Sequence, residues 1–327
     1  MGGALPDSLQ PKPRLPWVRE CSTFFLGWFL LAALLGGCGR GSTPSVIVYT
    51  SQDEVFAEPL FKQFEKETGI TVRAVFDSEA VKTVGLANRL QAEQSHPQCD
   101  VFWNNEEFRT RELASKQAFR ETNGWVQLGY RSRRLVINTN LVPLASAPKS
   151  FSEVTNVAWR GKVVLAYPLF GTTATHFLAL RQAWGASAWQ DWCRALAANK
   201  SLLVDGNSVV VKMVGSGEAA VGFTDSDDIA EAQRDGQPVL PLPLNPETLL
   251  VHNSAGVVRN APHPVEAQKF LEFLQGATVQ QALVTRQALE SALPADQNSQ
   301  PGLKVDWPGL LRDLEPGARD LKTIFLR

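Results

Sequence analysis

Residues 45–50 have the sequence SVIVYT, residues 51–69 have SQDEVFAEPLFKQFEKETG, and residues 70–76 have ITVRAVF. The two short apolar runs are typical of strands buried on both faces. Between them, Phe56, Leu60 and Phe64 are spaced for one face of a helix. Gly69 stands where this helix is expected to stop. The stretch therefore predicts a β-α-β unit with two parallel strands.

The same alternation of helices and strands extends over most of the chain. A helix over about 79–94 and a strand at 99–103 complete a β-α-β-α-β pattern. After a strand at 134–138 and a proline-punctuated stretch, the pattern predicts strands at 162–167, 201–204, 219–223 and 248–258, and helices at 175–184, 208–214, 226–235 and 264–274. Such alternation predicts an α/β protein built on parallel sheets.

The composition narrows the class of protein. A length of 327 residues corresponds to about two domains. The hydrophobic fraction of 44% is typical of a globular chain, and the formal net charge of −1 argues against a nucleic-acid partner. Four cysteines are too few for a disulfide scaffold, so we expect Cys99 and Cys193 to be buried free thiols.

The first forty residues have the layout of an export signal. Basic residues precede an apolar run at 24–35, which is followed by Gly36, Gly37 and Cys38. This run is too short for a comfortable transmembrane span, which needs about 20 residues. The sequence LGGC at 35–38 resembles a bacterial lipobox. We therefore predict a lipoprotein signal peptide at 1–37, lipidation of Cys38 and a tether at 38–44, with an uncleaved anchor helix as the alternative.

Polar residues follow the first and third predicted strands. In open parallel sheets, ligands bind beyond the carboxyl ends of the strands, where helices begin. The candidates after the first strand are Thr50, Ser51 and Asp53, which alternatively serve only to cap the next helix. The candidates after the third strand are Asn104, Asn105 and Glu106, which alternatively form a turn.

Two later strand-to-helix junctions also carry candidate ligand-binding residues. Gly171, Thr172 and Thr173 combine close backbone approach with hydroxyls at a helix start, which suits an anion or a simple cap. The second junction offers Thr224, Asp225, Ser226 and Asp227. Its carboxylates suit either a ligand or the negatively charged first turn of a helix.

The sequence lacks the motifs of common enzymes. It contains no G-x-S-x-G, H-E-x-x-H or Walker A motif, and its four histidines lack paired metal-ligand spacing. We therefore predict a protein that is not an enzyme and that has no resident cofactor.

Several landmarks in a fixed order carry a family resemblance. They are VYTS at 48–51, the segment 61–70, DVFWNNE at 100–106, WRGKV at 159–163 and PHPVEAQKFLEFL at 262–274. Over about 45–290 the chain resembles the substrate-binding proteins of bacterial ABC importers, in particular the ferric-type extracellular solute-binding family.

The resemblance implies two parallel-sheet-based α/β lobes of the type II periplasmic-binding-protein kind, joined by crossing hinge strands. It implies a first lobe at 45–135 plus 256–327, a second lobe at 140–250, and crossings near 135–139 and 248–256. It also implies lobes that close on a small ligand, a permease and an ATPase as partners, a monomeric state and an extracytoplasmic or periplasmic location. With a lipidated Cys38, the membrane would be a further partner.

The nature of the ligand stays open between two hypotheses. The best-known ferric relatives hold iron through adjacent tyrosines with a synergistic anion, whereas Tyr49, Tyr130 and Tyr167 are separate in this chain. The first hypothesis is Fe3+ or a ferric–anion complex as transported ligand, held by carboxylates with Asp53, Glu106 and Asp225 as metal ligands. The second is a small phosphonate- or phosphate-bearing solute, such as an aminoalkylphosphonate, at 171–173. A ligand-sensing lipoprotein and an extracellular hydrolase are further alternatives.

Overall fold

The computed structural model describes residues 43–77, 83–121, 124–292 and 301–326. The predicted signal peptide at 1–37, the predicted lipidation site Cys38 and the tether as far as residue 42 lie outside these ranges. Within the described ranges, no helix is long and apolar enough to span a membrane.

The described elements alternate along most of the chain, as the sequence predicts. The strands are β1 Ser45–Thr50, β2 Thr71–Phe76, β3 Val101–Asn104, β4 Trp125–Asn138, β5 Val163–Ala166, β6 Leu202–Val204, β7 Val221–Asp225, β8 Val239–Pro241 and β9 Leu250–Val257. The α-helices are α1 Glu54–Thr68, α2 Val84–Ala92, α3 Glu107–Ser115, α4 Gly171–Trp184, α5 Ala186–Ala198, α6 Asn207–Ser216, α7 Ser226–Arg234, α8 Pro264–Gln275, α9 Ala277–Thr285 and α10 Trp307–Phe325. Short 3-10 helices lie at Leu144–Ser146, Ser152–Thr155 and Val157–Trp159.

The strands follow the order β2-β1-β3-β9-β4-β7-β5-β6, with β8 paired to β4. The pairs β1–β2, β1–β3, β5–β6 and β5–β7 are parallel, whereas β9 and β4 pair antiparallel with their neighbours. The predicted α/β class is therefore confirmed, with parallel strands towards the two ends of the sheet and antiparallel pairs of β9 and β4 at its centre.

Strand β4 joins the two halves of this sheet. Its residues as far as Ser132 pair with β9, and its residues from Arg133 onward pair with β7 and β8. We call β1–β3, β9 and the first part of β4, with α1–α3, α8 and α9, the first lobe. The second lobe comprises the rest of β4, β5–β8 and α4–α7. The change of partner lies a few residues before the predicted crossing at 135–139.

Each lobe has a hydrophobic core on both faces of its strands. In the first lobe, one core contains Phe64, Trp103 and Phe270, and the other contains Phe102 and Leu90. In the second lobe, the corresponding cores form around the α4–α5 helices and the α6–α7 helices. This layering explains the continuous apolar runs of β1, β5 and β7, since both of their faces are covered.

The C-terminal helix differs from its predicted place in the first lobe. Helix α10 packs mainly against α4 and α5 of the second lobe, where Leu321 joins the core that contains Phe177 and Trp192. Leu310 of α10 also joins a small apolar cluster with Phe108 of α3. The chain therefore returns to the second lobe after α9, because the apolar face of α10 finds its cover there.

Two boundaries and several elements also differ from the sequence prediction. Strand β4 begins at Trp125 rather than at residue 134, and α4 begins at Gly171 rather than at residue 175. Helices α3, α5, α9 and α10 and strand β8 were not predicted. The thiols behave as predicted: Cys99 and Cys193 are buried and free, and burial raises the pKa of each.

Candidate functional site

A cleft with an empty volume of about 460 Å³, counting its open mouth, lies beyond the carboxyl ends of strands from both lobes. The wall includes Asp53 after β1, Asn105 after β3, Asp205 after β6 and Asp225 at the end of β7. The helices α1, α4, α6 and α7 begin beside it. The placement agrees with the rule that ligands bind at strand ends of open α/β sheets.

Seven of the thirteen predicted ligand-binding residues line this cleft. They are Asp53, Asn105, Gly171, Thr172, Thr173, Asp225 and Asp227. The cleft wall also contains residues that were not among the predictions: Thr83, Arg131, Ala166, Tyr167, Phe170, Asp205, Gly206, Asn207 and Asp228.

Three predicted residues of the first lobe lie behind the cleft wall. The hydroxyl of Ser51 donates to Oδ1 of Asn104 and of Asn105, and it accepts the backbone N–H of Asn105 at 3.0 Å. Thr50 Oγ1 accepts the backbone N–H of Gln52 at 3.0 Å. Thr50, Ser51 and Asn104 therefore fix the loops that carry Asp53 and Asn105, and they do not themselves face the ligand space.

Glu106 serves as a helix cap outside the cleft wall. Its carboxylate accepts the backbone N–H groups of Phe108 at 2.6 Å and Arg109 at 3.1 Å, which begin α3. Burial raises the pKa of this carboxyl, and the hydrogen bonds oppose the rise only partly. The structure therefore gives Glu106 the capping role, and the metal-ligand role predicted for it has no support from its position.

Thr224 and Ser226 also lie outside the cleft wall. The hydroxyl of Thr224 donates to Asp228 Oδ2 at 3.0 Å and to the backbone oxygen of Asn207 at 3.1 Å. Ser226 Oγ accepts the backbone N–H of Ser132 at 3.2 Å. Because neighbouring residues of a strand point to opposite faces, Asp225 faces the cleft while Thr224 does not.

Two buried arginines of β4 were missed by the sequence analysis. The exposed fraction of Arg131 is 2% and that of Arg133 is 0%. Arg131 Nη2 lies 3.0 Å from Asp225 Oδ2, and Arg133 Nη1 lies 2.8 Å from Asp225 Oδ1. Arg131 Nε also lies 3.3 Å from Asp227 Oδ1. Both predicted carboxylates are thus in ion pairs with the chain itself.

Arg131 also connects the two lobes. Its Nη1 donates to the backbone oxygen of Asn105 at 2.9 Å and to Asn253 Oδ1 at 3.4 Å, and both acceptors belong to the first lobe. Its Nη2 and Nε meet Asp225 and Asp227 of the second lobe. One guanidinium with its five donors therefore spans the floor of the cleft between the lobes.

The cleft wall is acidic in spite of these arginines. Five carboxylates line it, from Asp53, Asp205, Asp225, Asp227 and Asp228. Together with Arg131 and Arg133, they give a formal charge of −3. Oxygens of Asp225, Asp227 and Asp228 lie within 4.8 Å of one another, close enough to share one metal ion. Carboxylate oxygens suit hard cations, so the chemistry of the cleft favours a positively charged ligand.

One tyrosine contributes to the same wall. Tyr167 follows β5 and lines the cleft beside Phe170. A tyrosine oxygen is a hard donor of the kind that ferric ions prefer. The cleft wall therefore contains one tyrosine, although the sequence has no pair of adjacent tyrosines.

The comparisons with known proteins agree with this architecture. The family model described as bacterial extracellular solute-binding protein matches residues 49–281. A curated relative, the Fe(3+)-binding periplasmic protein of Serratia marcescens, is 26% identical over 293 residues, which cover 82% of this chain and 84% of the relative.

Solved structures with the same fold include proteins with different bound ligands. Iron-bound HitA from Pseudomonas aeruginosa matches with a TM-score of 0.73 at 20% identity, over 85% of this chain and 99% of that chain. AfuA from Actinobacillus pleuropneumoniae, with fructose-6-phosphate bound, matches with a TM-score of 0.73 at 16% identity, over 86% of this chain and 98% of that chain. These likenesses confirm the type II periplasmic-binding-protein fold that the sequence predicts.

Proposed function

Because the chain belongs to the bacterial extracellular solute-binding protein family, we propose that it is the solute-binding subunit of an ABC importer whose ligand is ferric iron. The observation that carries the proposal is the acidic cleft at the strand ends, with five carboxylates and the phenol of Tyr167 in its wall. The Serratia marcescens relative, whose name states that it binds Fe(3+), supports the choice of metal.

The donor set fits a hard, highly charged cation. Asp225, Asp227 and Asp228 bring three oxygens to one place, and Asp53 adds a carboxylate from the first lobe. Hard cations prefer such oxygen donors over nitrogen or sulfur. Of the three metal ligands predicted from the sequence, Asp53 and Asp225 remain in the proposal, whereas Glu106 is replaced by Asp227, Asp228 and Tyr167.

We propose that the lobes close over this ligand. Asp53 and Asn105 come from the first lobe and Asp225 from the second, so a ligand that touches both sides stabilises the closed arrangement. The hinge would lie where β4 passes between the lobes at 132–133 and where the chain returns before β9. Small-angle scattering should show a decrease in the radius of gyration on ligand addition, and an unchanged radius with bound ligand would refute closure.

The remaining assignments rest on the sequence and the family. We propose a monomer that acts outside the cytoplasm, anchored to the membrane through a lipid on Cys38, with a permease and an ATPase as partners. The family binds solutes, and we propose that the chain binds its ligand without turnover. Turnover of a bound ligand would revive the hydrolase alternative, and genetic linkage to a sensor kinase instead of a permease would favour the sensing alternative.

A phosphate- or phosphonate-bearing solute is the second candidate ligand. The first turn of α4, with Gly171, Thr172 and Thr173, lines the cleft and presents a helix N-terminus to it. The fructose-6-phosphate bound by AfuA shows that this fold accommodates a phosphorylated solute in that relative.

A thermal-shift screen separates the two candidates. Ferric citrate should raise the melting temperature, because a ligand that binds only the folded chain stabilises it by mass action. At a ligand concentration 100 times Kd, the free energy of unfolding should rise by about 2.7 kcal/mol. In the Asp227→Asn variant, the ferric citrate concentration needed for the same rise in melting temperature should be at least tenfold higher. Asp235→Asn is the matched control, because Asp235 is an exposed acid at the far end of α7. A response only to aminoalkylphosphonates or sugar phosphates would overturn the ferric proposal.

A further inference from the structure

The carboxylate of Asp225 accepts hydrogen bonds from four side chains that come from three different parts of the chain, and we call these four donors the cradle. Arg133 Nη1 donates to Oδ1 at 2.8 Å, and Arg131 Nη2 donates to Oδ2 at 3.0 Å. The Thr172 hydroxyl donates to Oδ2 at 2.8 Å, and Asn207 Nδ2 donates to the same oxygen at 3.2 Å. Two guanidiniums, a hydroxyl and an amide thus converge on one anionic group.

This cradle has the chemistry of an anion-binding site. Arginine binds carboxylate and phosphate oxygens through charge-assisted hydrogen bonds, and hydroxyl and amide donors complete such sites. It also lies at the first turn of α4, where the sequence predicts anion binding at Thr172. A free anion in the cleft would need the same donors that Asp225 already uses.

The geometry of the cradle stabilises Asp225 as a carboxylate. Both of its oxygens accept hydrogen bonds, and two of the four donor groups are positively charged guanidiniums.

We infer that Asp225 is a built-in counter-anion, so that the cleft binds its cation without a co-bound anion from solution. The inference rests on the proposed function for the identity of the cation. Among the described residues of the cradle, the donors from β4, α4 and α6 are engaged by Asp225, and the carboxylate in turn lies beside the oxygens of Asp227 and Asp228. The chain thereby supplies from its own sequence the anion that would otherwise have to come from solution.

The first test measures the mass of the iron-loaded wild-type protein. The protein is loaded from ferric nitrilotriacetate in chloride, phosphate or citrate buffer, desalted and measured by native mass spectrometry. We expect a mass gain of one iron ion in each buffer, with no mass of a bound anion. A retained phosphate, citrate or nitrilotriacetate at one per protein would overturn the inference.

The second test empties the cradle and needs no iron. Asp225→Ala should create a phosphate site, so that phosphate raises the melting temperature of the variant at a concentration at least tenfold below any effect on wild type. Asp228→Ala is the matched control, because it removes the same charge from the cleft wall and leaves Asp225 in the cradle. No phosphate response in Asp225→Ala, or an equal response in both variants, would refute the inference.

The two tests separate the inference from the proposed function. If wild type binds no iron but Asp225→Ala binds phosphate, the ferric proposal fails and the built-in anion stands. If Asp225→Ala does not fold, Asp225→Ser gives the same room with a small polar side chain and takes its place in the phosphate titration. The native mass measurement on wild type requires no variant at all.

Discussion

Arg133→Met should be one of the most destabilising single substitutions in the cleft. The side chain is 0% exposed, and its guanidinium makes the 2.8 Å ion pair with Asp225. It also donates to Asn207 Oδ1 at 2.9 Å and to the hydroxyls of Thr172 and Thr173 at 3.3 and 3.2 Å. Methionine keeps much of the volume but leaves the buried carboxylate with one arginine fewer.

The magnitude follows from the burial of the pair. Removing one partner of a buried, hydrogen-bonded ion pair costs about 3–5 kcal/mol, because the other charge remains out of water. For a chain of this size that cost corresponds to a fall in melting temperature on the order of 10 °C. Arg134→Met is the control on the same strand. Its partly exposed pair with Glu290 should contribute about 1 kcal/mol or less.

Urea unfolding at pH 7, followed by tryptophan fluorescence, measures both variants. A double variant, Arg133→Met with Asp225→Asn, should be less destabilised than the sum of the single variants by about 1–3 kcal/mol, because no unpaired charge remains between them. Additive costs, or an Arg133→Met variant as stable as Arg134→Met, would show that the Asp225 cradle is not an ion-pair network of the kind described.

Two further substitutions test a buried histidine of the second lobe and a tightly packed glycine of the first lobe. Burial and the charge of Arg133 lower the pKa of His176 to about 3. Below about pH 6.5 the unfolded chain therefore binds a proton at this histidine that the folded chain does not bind. The free energy of unfolding should fall by about 2 kcal/mol between pH 7 and pH 5. His176→Gln should flatten this dependence in urea unfolding, and an unchanged slope would contradict the assignment. Gly256→Ala should cost about 1–3 kcal/mol, because its Cβ would lie 2.6 Å from Phe119 Cδ1 and 2.9 Å from the backbone oxygen of Gly124. A fully stable variant would mean that the contact of β9 with the segment before β4 adjusts without cost.

Much of the fold follows from apolar periodicity. The runs that became β1, β5 and β7 are buried on both faces, and Gly69 ends α1 with a φ of +70°, as its position predicts. Helix α5 was missed because it follows α4 after Gly185 alone, where a longer loop is the usual expectation.

The cleft was predictable in part for the same reason. The strand-end rule is a property of the topology, and it selected Asp53, Asn105 and Asp225 correctly as residues of the wall. It also selected Thr50 and Glu106, since local sequence does not distinguish a residue that faces the ligand from one that caps a helix.

The arginines could not be found by this reasoning. In the sequence RSRR at 131–134, charge is unfavourable for a buried strand, so the predicted strand begins only at residue 134. The partner that makes Arg131 and Arg133 tolerable, Asp225, is more than 90 residues away in the chain. The one available signal was the spacing of two arginines by two residues, which places both on one face of a strand.

The position of α10 in the sequence determines when the core of the second lobe can form during synthesis. The second lobe buries the α4–α5 surface around Phe177 and Trp192 only when Leu321 and its neighbours pack on it, and Leu321 follows Trp192 by more than 100 residues in the sequence. Most domains can fold as they emerge, with the N-terminal part first. Here the second lobe cannot complete this core until α10, which follows all other described elements of both lobes in the sequence, has been synthesised.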